Sequence, residues 1–171
     1  ERFGHNSDGE PVSLFAVPGL EEYWDNDVFI TEALTLEAIK ALESPVEKKE
    51  PFFLYMSHYA VHVPLQADNR FVDKYLQRGL LQSEANYASM VEGMDKSLGD
   101  LMDYLESKEV LKNTVIIFMS DNGGYSLYGR MPPLHTQNSP LRSGKGSAYE
   151  GSIRVPMIVY WNGVASPGTT M

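Results

Sequence analysis

The stretch Val115-Ile116-Ile117-Phe118-Met119-Ser120-Asp121-Asn122-Gly123-Gly124 decides the fold class. Its five consecutive apolar residues, Val115 to Met119, read as a strand buried on both faces. The run stops at a serine and an acid, and an amide and two glycines follow. Such a strand holds a carboxylate (Asp121) and an amide oxygen (Asn122) at its carboxyl edge, with a flexible turn beyond them. In open α/β sheets, ligands bind outside the carboxyl edge. The stretch therefore predicts an α/β fold and marks one sheet edge as the place for chemistry.

Upstream, Pro51 opens a second strand, Phe52-Phe53-Leu54-Tyr55-Met56, again apolar on both faces. It runs into Ser57-His58-Tyr59-Ala60-Val61-His62-Val63-Pro64, a loop with a histidine at each of positions 58 and 62. Between these two strands, Tyr87, Met90, Val91, Met94, Leu98, Leu101 and Leu105 recur three or four apart, which predicts an amphipathic helix over 84–106. Gly93 and Gly99 weaken that helix locally or allow close packing. A short helix is expected near 68–77. With a helix-rich connection between the strands, a right-handed parallel crossover is the default. His58 and His62 would then emerge on the same edge as Asp121 and Asn122.

Nearer the start, Leu34, Ala38, Ile39, Ala41 and Leu42 predict a helix over 31–43, capped by Thr31, helped by Glu32 and ended at Ser44-Pro45. Glu21 to Asp27 reads as a polar surface loop, and Glu47-Lys48-Lys49-Glu50 as a solvated linker. Downstream, a long loop from Tyr125 to Ala148 holds Arg130, His135, Arg142 and Lys145, the most basic part of an acidic chain. Loops of this length without regular structure are usually functional or disordered. Pro156 to Trp161 is a third strand, closed by the Asn162-Gly163 turn.

The bulk composition sets bounds. The chain has 171 residues, 43% of them hydrophobic, enough for a real core in about one domain. Its net charge of -9 argues against a nucleic-acid surface, which needs a basic patch. With no cysteine, disulfide and thiolate chemistry are excluded within this span. Apolar runs fall far short of the roughly 20 residues of a membrane helix. The chain starts at Glu1 without a targeting pattern and stops at Met171 just after a strand and its turn, so the expectation is a piece of a longer protein.

Each candidate residue has two readings. Asp121 and Asn122 offer two oxygens to a hard cation, which takes six to eight in the case of calcium, or they are simply good turn residues. His62 could give a proton to a leaving group or bind an anion, or be an ordinary surface histidine. Lys145 lies between Gly144 and Gly146, whose small size lets an ammonium and backbone N–H groups approach an anion, or it is a solvated loop lysine. Arg142 is a further anion contact, or a partner for Glu150. Together, two candidate metal ligands, a histidine and a lysine on loops near one edge describe a site for a tetrahedral oxyanion ester.

Three segments carry a resemblance. Pro51 to Ser57 with His62-Val63-Pro64, then Val115 to Gly123, then Pro140-Leu141-Arg142-Ser143-Gly144-Lys145-Gly146-Ser147-Ala148-Tyr149-Glu150-Gly151-Ser152-Ile153-Arg154-Val155-Pro156 resemble the sulfatase family in order and spacing. The resemblance spans residues 31–163. It implies an alkaline-phosphatase-like α/β/α sandwich with a mostly parallel central sheet, and hydrolysis of sulfate esters. It implies that Asp121 and Asn122 are two ligands of an active-site calcium, and that His62 and Lys145 are catalytic and contact the sulfate. From the basic loop, His135 and Arg142 are further candidates for binding substrate.

Ser152 departs from the glycine usual in the family. The family's nucleophile is a formylglycine made from a Cys/Ser-x-Pro-x-Arg motif, and no match occurs here. The expectation is therefore a partial sulfatase catalytic domain over 1–171, with the nucleophile and the rest of the calcium shell upstream, inactive by itself and empty of calcium. The implied partner is a sulfate-ester small molecule or a sulfated glycan. The implied location is outside the cytoplasm, in a bacterial periplasm, a lysosome or the extracellular space. The rivals are a phosphodiesterase or phosphonate monoester hydrolase of the same superfamily, and a non-catalytic module that binds a sulfated glycan.

Overall fold

The computed structural model describes residues 17–24, 26–125 and 138–170. The chain divides into two compact units, Glu1–Glu109 and Val110–Met171.

The first unit is built on three helices, α1 (Ile30–Lys48), α2 (Val72–Gln77) and α3 (Gln82–Ser107), with α3 packed against both others. The helix predicted over 31–43 starts one residue earlier and runs five residues further. Phe29 occupies the N-cap position, while Thr31 is buried inside the first turn instead of capping it. Pro45 lies within the helix. The carbonyl it leaves without a partner is that of Ala41, an exposed residue open to water. The helix stops at Lys49, whose φ of 56° is left-handed and whose N–H donates to the Val46 carbonyl at 3.2 Å.

The predicted loop at 21–27 contains a core anchor. Glu21–Tyr23 form a single 3-10 turn that buries Tyr23 with Leu20 and Ala33. The Tyr23 hydroxyl donates to Glu37 Oε1 at 2.6 Å and accepts from Lys40 Nζ at 3.0 Å, so the ring's polar tip is satisfied on α1.

The helix expected over 84–106 is α3, longer by two residues at its start and one at its end. Glu84 accepts the Leu81 N–H at 3.4 Å at its start. Its buried face differs in part from the apolar pattern. Met90, Leu101 and Leu105 are buried, but so are Ala85, Ser89, Gly93 and Ser97, whereas Val91 is exposed. These four small residues recur every fourth position, so they form one stripe along the helix. A stripe of small side chains admits neighbouring backbone where large ones would hold it off.

Phe52 to Met56 form no strand: among the described residues they have no ladder partner. Phe53 and Tyr55 are largely exposed, and Leu54, Tyr55 and Met56 line a shallow groove with Leu34, Ala38 and Ala41 of α1.

The second unit holds β1 (Val115–Met119), α4 (Glu150–Ile153) and β2 (Met157–Trp161). The first and third predicted strands thus exist. Among the described residues they form a two-stranded sheet that is antiparallel, where the sequence predicts a mostly parallel one. Val115 stands opposite Trp161 and Met119 opposite Met157. The strands are apolar as read, yet not buried on both faces: Ile117 is 59% exposed and Ile158 63%. Two strands alone offer no layer to cover them.

The small-residue stripe separates two truncations on α3. Leu105→Ala removes a buried side chain and should cost about 2–5 kcal/mol in denaturant unfolding. Val91→Ala, equally apolar in the sequence pattern but exposed, should change stability by less than about 0.5 kcal/mol.

Candidate functional site

At the end of β1 the chain turns tightly. Ser120 Oγ donates to the Asn122 carbonyl at 2.7 Å, and Asn122 Nδ2 donates to the Gly123 carbonyl at 3.0 Å. That leaves Asn122 Oδ1 free to act as a ligand oxygen. Asp121 is exposed, and its carboxylate has no hydrogen bond or ion pair among the described residues.

The backbone beyond the turn is stacked on two further segments. Gly123 N–H donates to the Ser152 carbonyl at 2.8 Å, and Lys145 N–H donates to the Gly124 carbonyl at 3.0 Å. Gly151 N–H donates to the Arg142 carbonyl at 3.0 Å. A Cβ on Gly123 would lie 1.8 Å from the Gly151 carbonyl oxygen, and one on Gly151 would lie 2.2 Å from that of Ser143. Only glycine allows the three segments to approach so closely. Asn138 closes the base of the long loop: Gly124 N–H donates to its Oδ1 at 2.9 Å, and its Nδ2 donates to the Gly124 carbonyl at 2.8 Å and the Ser143 carbonyl at 3.1 Å.

This stacking fixes the backbone of Lys145 beside the Asp121-Asn122 turn. Ser143 at φ 65° and Gly146 at φ 87° reverse the chain on either side of it. Lys145 is half-buried, and its ammonium has no ion-pair or hydrogen-bond partner among the described residues. An ammonium and a carboxylate borne on adjoining backbone segments, each unpaired among the described residues, offer charges of both signs to a ligand. The Arg142 guanidinium stacks on the Tyr149 ring at 3.8 Å. Glu150, the alternative partner for Arg142, instead pairs with Arg154 at 3.3 Å. His135 lies outside the described residues.

The two histidines belong to the first unit. The His62 N–H donates to the Tyr59 carbonyl at 2.8 Å, closing a turn that leaves the ring exposed. His62 Nδ1 lies 2.8 Å from the Val63 carbonyl. A carbonyl only accepts, so Nδ1 carries the hydrogen and Nε2 is the atom free to exchange a proton. His58 is different. Its Nε2 lies 3.4 Å from Ser97 Oγ, which is 2.6 Å from Thr35 Oγ1, which in turn donates to the Thr31 carbonyl at 2.6 Å. Each hydroxyl has one hydrogen, so the chain runs one way: His58 Nε2–H to Ser97, Ser97 to Thr35, Thr35 to Thr31. His58 Nδ1 is then a buried lone pair without a partner. Burial pushes the His58 pKa below its usual value.

Among the described residues, no group of three or more His, Cys, Asp or Glu side chains gathers to hold a metal ion. Asp121 and Asn122 do suit a hard cation, because both donors are oxygens and neither is occupied by another described residue. They would supply part of a calcium shell.

Sequence reading missed the contacts that organise these residues: the Gly123–Gly151 approach, the Asn138 clasp, and the hydroxyl chain behind His58. The glycines were visible as letters, but their closeness is a tertiary fact. Two outcomes follow. Gly151→Ala drives a Cβ into backbone and should destabilise the second unit by about 1–3 kcal/mol, with loss of hydrogen-exchange protection at the Lys145 amide. The depressed His58 pKa means that its stabilising contribution is complete above the unfolded value near 6.5 and is lost as pH falls through the folded value. Denaturation midpoints taken between about pH 8 and 5 should fall more in the wild type than in His58→Gln.

Comparison with known proteins places these residues in context. The sulfatase family model matches residues 10–170. A sulfatase of Formosa agariphila is 34% identical over 151 residues, covering 82% of this chain and 26% of its own length. An N-acetylgalactosamine-6-O-sulfatase of Bacteroides thetaiotaomicron is 34% identical over 174 residues, covering 96% and 32%. Among solved structures, Ps i-CgsB in complex with a neocarrahexaose superposes with a TM-score of 0.69 at 39% identity, covering 78% of this chain and 28% of that one. The PsFucS1 sulfatase from a Pseudoalteromonas species gives 0.67 at 34%, covering 81% and 26%. These neighbours have the alkaline-phosphatase-like fold. The chain spans 26% and 32% of the length of the two curated relatives just named. Matched to the family model over nearly its whole length, the chain belongs to the sulfatase family.

Proposed function

We propose that the whole protein hydrolyses sulfate esters, and that residues 1–171 are part of its catalytic domain. The observation that carries this reading is that His62, Asp121, Asn122 and Lys145 all fall within the one span matched to the family. The chemistry supports it. Lys145, with its unpaired ammonium, binds sulfate oxygens and holds the negative charge that builds on them. In its imidazolium form, with Nδ1–H tied to the Val63 carbonyl, His62 gives its Nε2 proton to the leaving oxygen as the S–O bond breaks and its electron pair departs with that oxygen, which leaves the neutral Nδ1–H ring. A calcium ion held in part by Asp121 and Asn122 would neutralise charge on the sulfate group. The nucleophile is expected from a formylglycine outside this chain.

Arg142 and His135 would contact the rest of the substrate. A sulfated glycan fits best, because the Bacteroides relative is named for a sulfated sugar and the Ps i-CgsB neighbour was solved with a neocarrahexaose. In the whole protein, β1 would join a mostly parallel sheet whose flanking helices cover the apolar faces left open here. Export from the cytoplasm follows from such a substrate; no helix among the described residues is long and apolar enough to cross a membrane.

The test is turnover by the whole protein on an aryl sulfate and a hexosamine sulfate, with bis-aryl phosphate as the competing class. Hydrolysis of the sulfates and little of the phosphodiester is the expected result. His62→Ala should lower kcat on the sugar ester by about 10²–10⁴-fold, and Lys145→Ala by about 10²–10³-fold. Preference for the phosphodiester would replace this reading with the phosphoesterase one. Binding of a sulfated glycan without turnover would leave the binding module.

A further inference from the structure

The segment that carries His62 is fastened to the helices at both ends, while among the described residues His62 itself bonds only within its own turn. Before it, His58 hangs on the one-way hydroxyl chain through Ser97 of α3 and Thr35 of α1. After it, residues 65–70 are stitched along α3. Asn86 Nδ2 donates to the Leu65 carbonyl at 2.9 Å, and the Asp68 N–H donates to Ser89 Oγ at 3.0 Å. The Asp68 side chain is 0% exposed. Arg70 embraces its carboxylate, with Nε at 2.9 Å from Oδ1 and Nη2 at 2.7 Å from Oδ2, while its backbone N–H adds a third bond at 3.1 Å. Arg70 Nη1 also reaches Glu32 Oε2 of α1 at 3.2 Å. This pairing holds the Arg70 guanidinium above its ordinary pKa.

The helix is shaped to receive this pair. A Cβ on Gly93 would lie 2.6 Å from Asp68 Oδ2, so the carboxylate occupies space that any other residue would fill. Ser89, Gly93 and Ser97 lie on one stripe of α3 at four-residue spacing. Ser97 holds the segment ahead of His62, and Ser89 with Gly93 holds the segment behind it. A fully buried carboxylate is costly unless paired and hydrogen-bonded, and a loop needs no such group merely to cross a surface.

We propose that His58 and Asp68 are positioning residues that clamp the His62 loop at both ends against α1 and α3, so that His62 Nε2 meets the leaving oxygen with a fixed aim. This rests on the reading of His62 as the proton donor. Misplacement of a reacting group by about 1 Å can lower a rate by about 100-fold. The loss falls on substrates that need the proton. A sugar alcohol leaves poorly without one, whereas a nitrophenolate leaves as the anion.

The test uses the whole protein with 4-nitrophenyl sulfate and a hexosamine sulfate. Ser97→Ala, Asp68→Asn and His58→Leu should lower kcat on the sugar ester by about 10- to 100-fold, leaving its KM and the nitrophenyl kcat within about threefold. His58→Gln keeps an N–H donor at the Nε2 position and should restore most of the loss. His62→Ala should show the same leaving-group contrast in stronger form. Equal losses on both substrates, or an unchanged sugar kcat in variants of lowered thermal midpoint, would mean that the clamp is structural only and overturn the proposal. If His62→Ala itself shows no leaving-group contrast, the proton-donor reading fails and the proposal falls with it.

Discussion

Close backbone approach at glycine is the constraint on which the rest of the molecule depends. It acts once in each unit. At Gly93, a helix gives up a side chain so that the Asp68 carboxylate can sit against it. At Gly123 and Gly151, two chain segments touch through their main chains, and a third comes close enough for its carbonyls to lie where a Cβ would be. In both places the result is the same: a segment bearing a candidate residue lies against regular structure with no side chain between. Large residues at these points would keep the helices and strands and lose the arrangement.

Much of the architecture was readable from periodicity, because periodicity reports which face of an element is apolar. β1 and β2 begin and end within a residue of their apolar runs, and α3 matches its predicted span closely. What periodicity could not report is packing through small residues. Ser89, Gly93 and Ser97 carry no hydrophobic signal, yet they are the buried positions that face the His62 segment. Tyr23 was hidden for a related reason, since it sits in a run of acidic residues whose polarity masks one buried ring. The sequence predicts a stop at Pro45, and the helix passes it because the carbonyl it orphans belongs to an exposed residue. The candidate residues themselves were found through motif and order, not through any local property of Asp121, His62 or Lys145.

The apolar faces of β1 and β2 record a burial that two strands do not provide. Ile117 and Ile158 are chemically core residues in exposed positions. Antiparallel sheets commonly keep one polar, solvated face, and alternate in sequence to suit it. Here no such alternation exists, so the pattern specifies layers on both sides. That agrees with relatives several times longer than this chain.

The Asn138 clasp has a different kind of consequence. Its side-chain amide exchanges two hydrogen bonds with the backbone of Gly124, as a neighbouring strand residue would. The chain between these two residues therefore leaves and returns at one fixed point. The entropy of closing such a loop grows only slowly with its length. Insertions and exchanges between 125 and 137 would leave Lys145 and Asp121 where they are. The clasp thereby makes the span between 124 and 138 a replaceable part of the second unit.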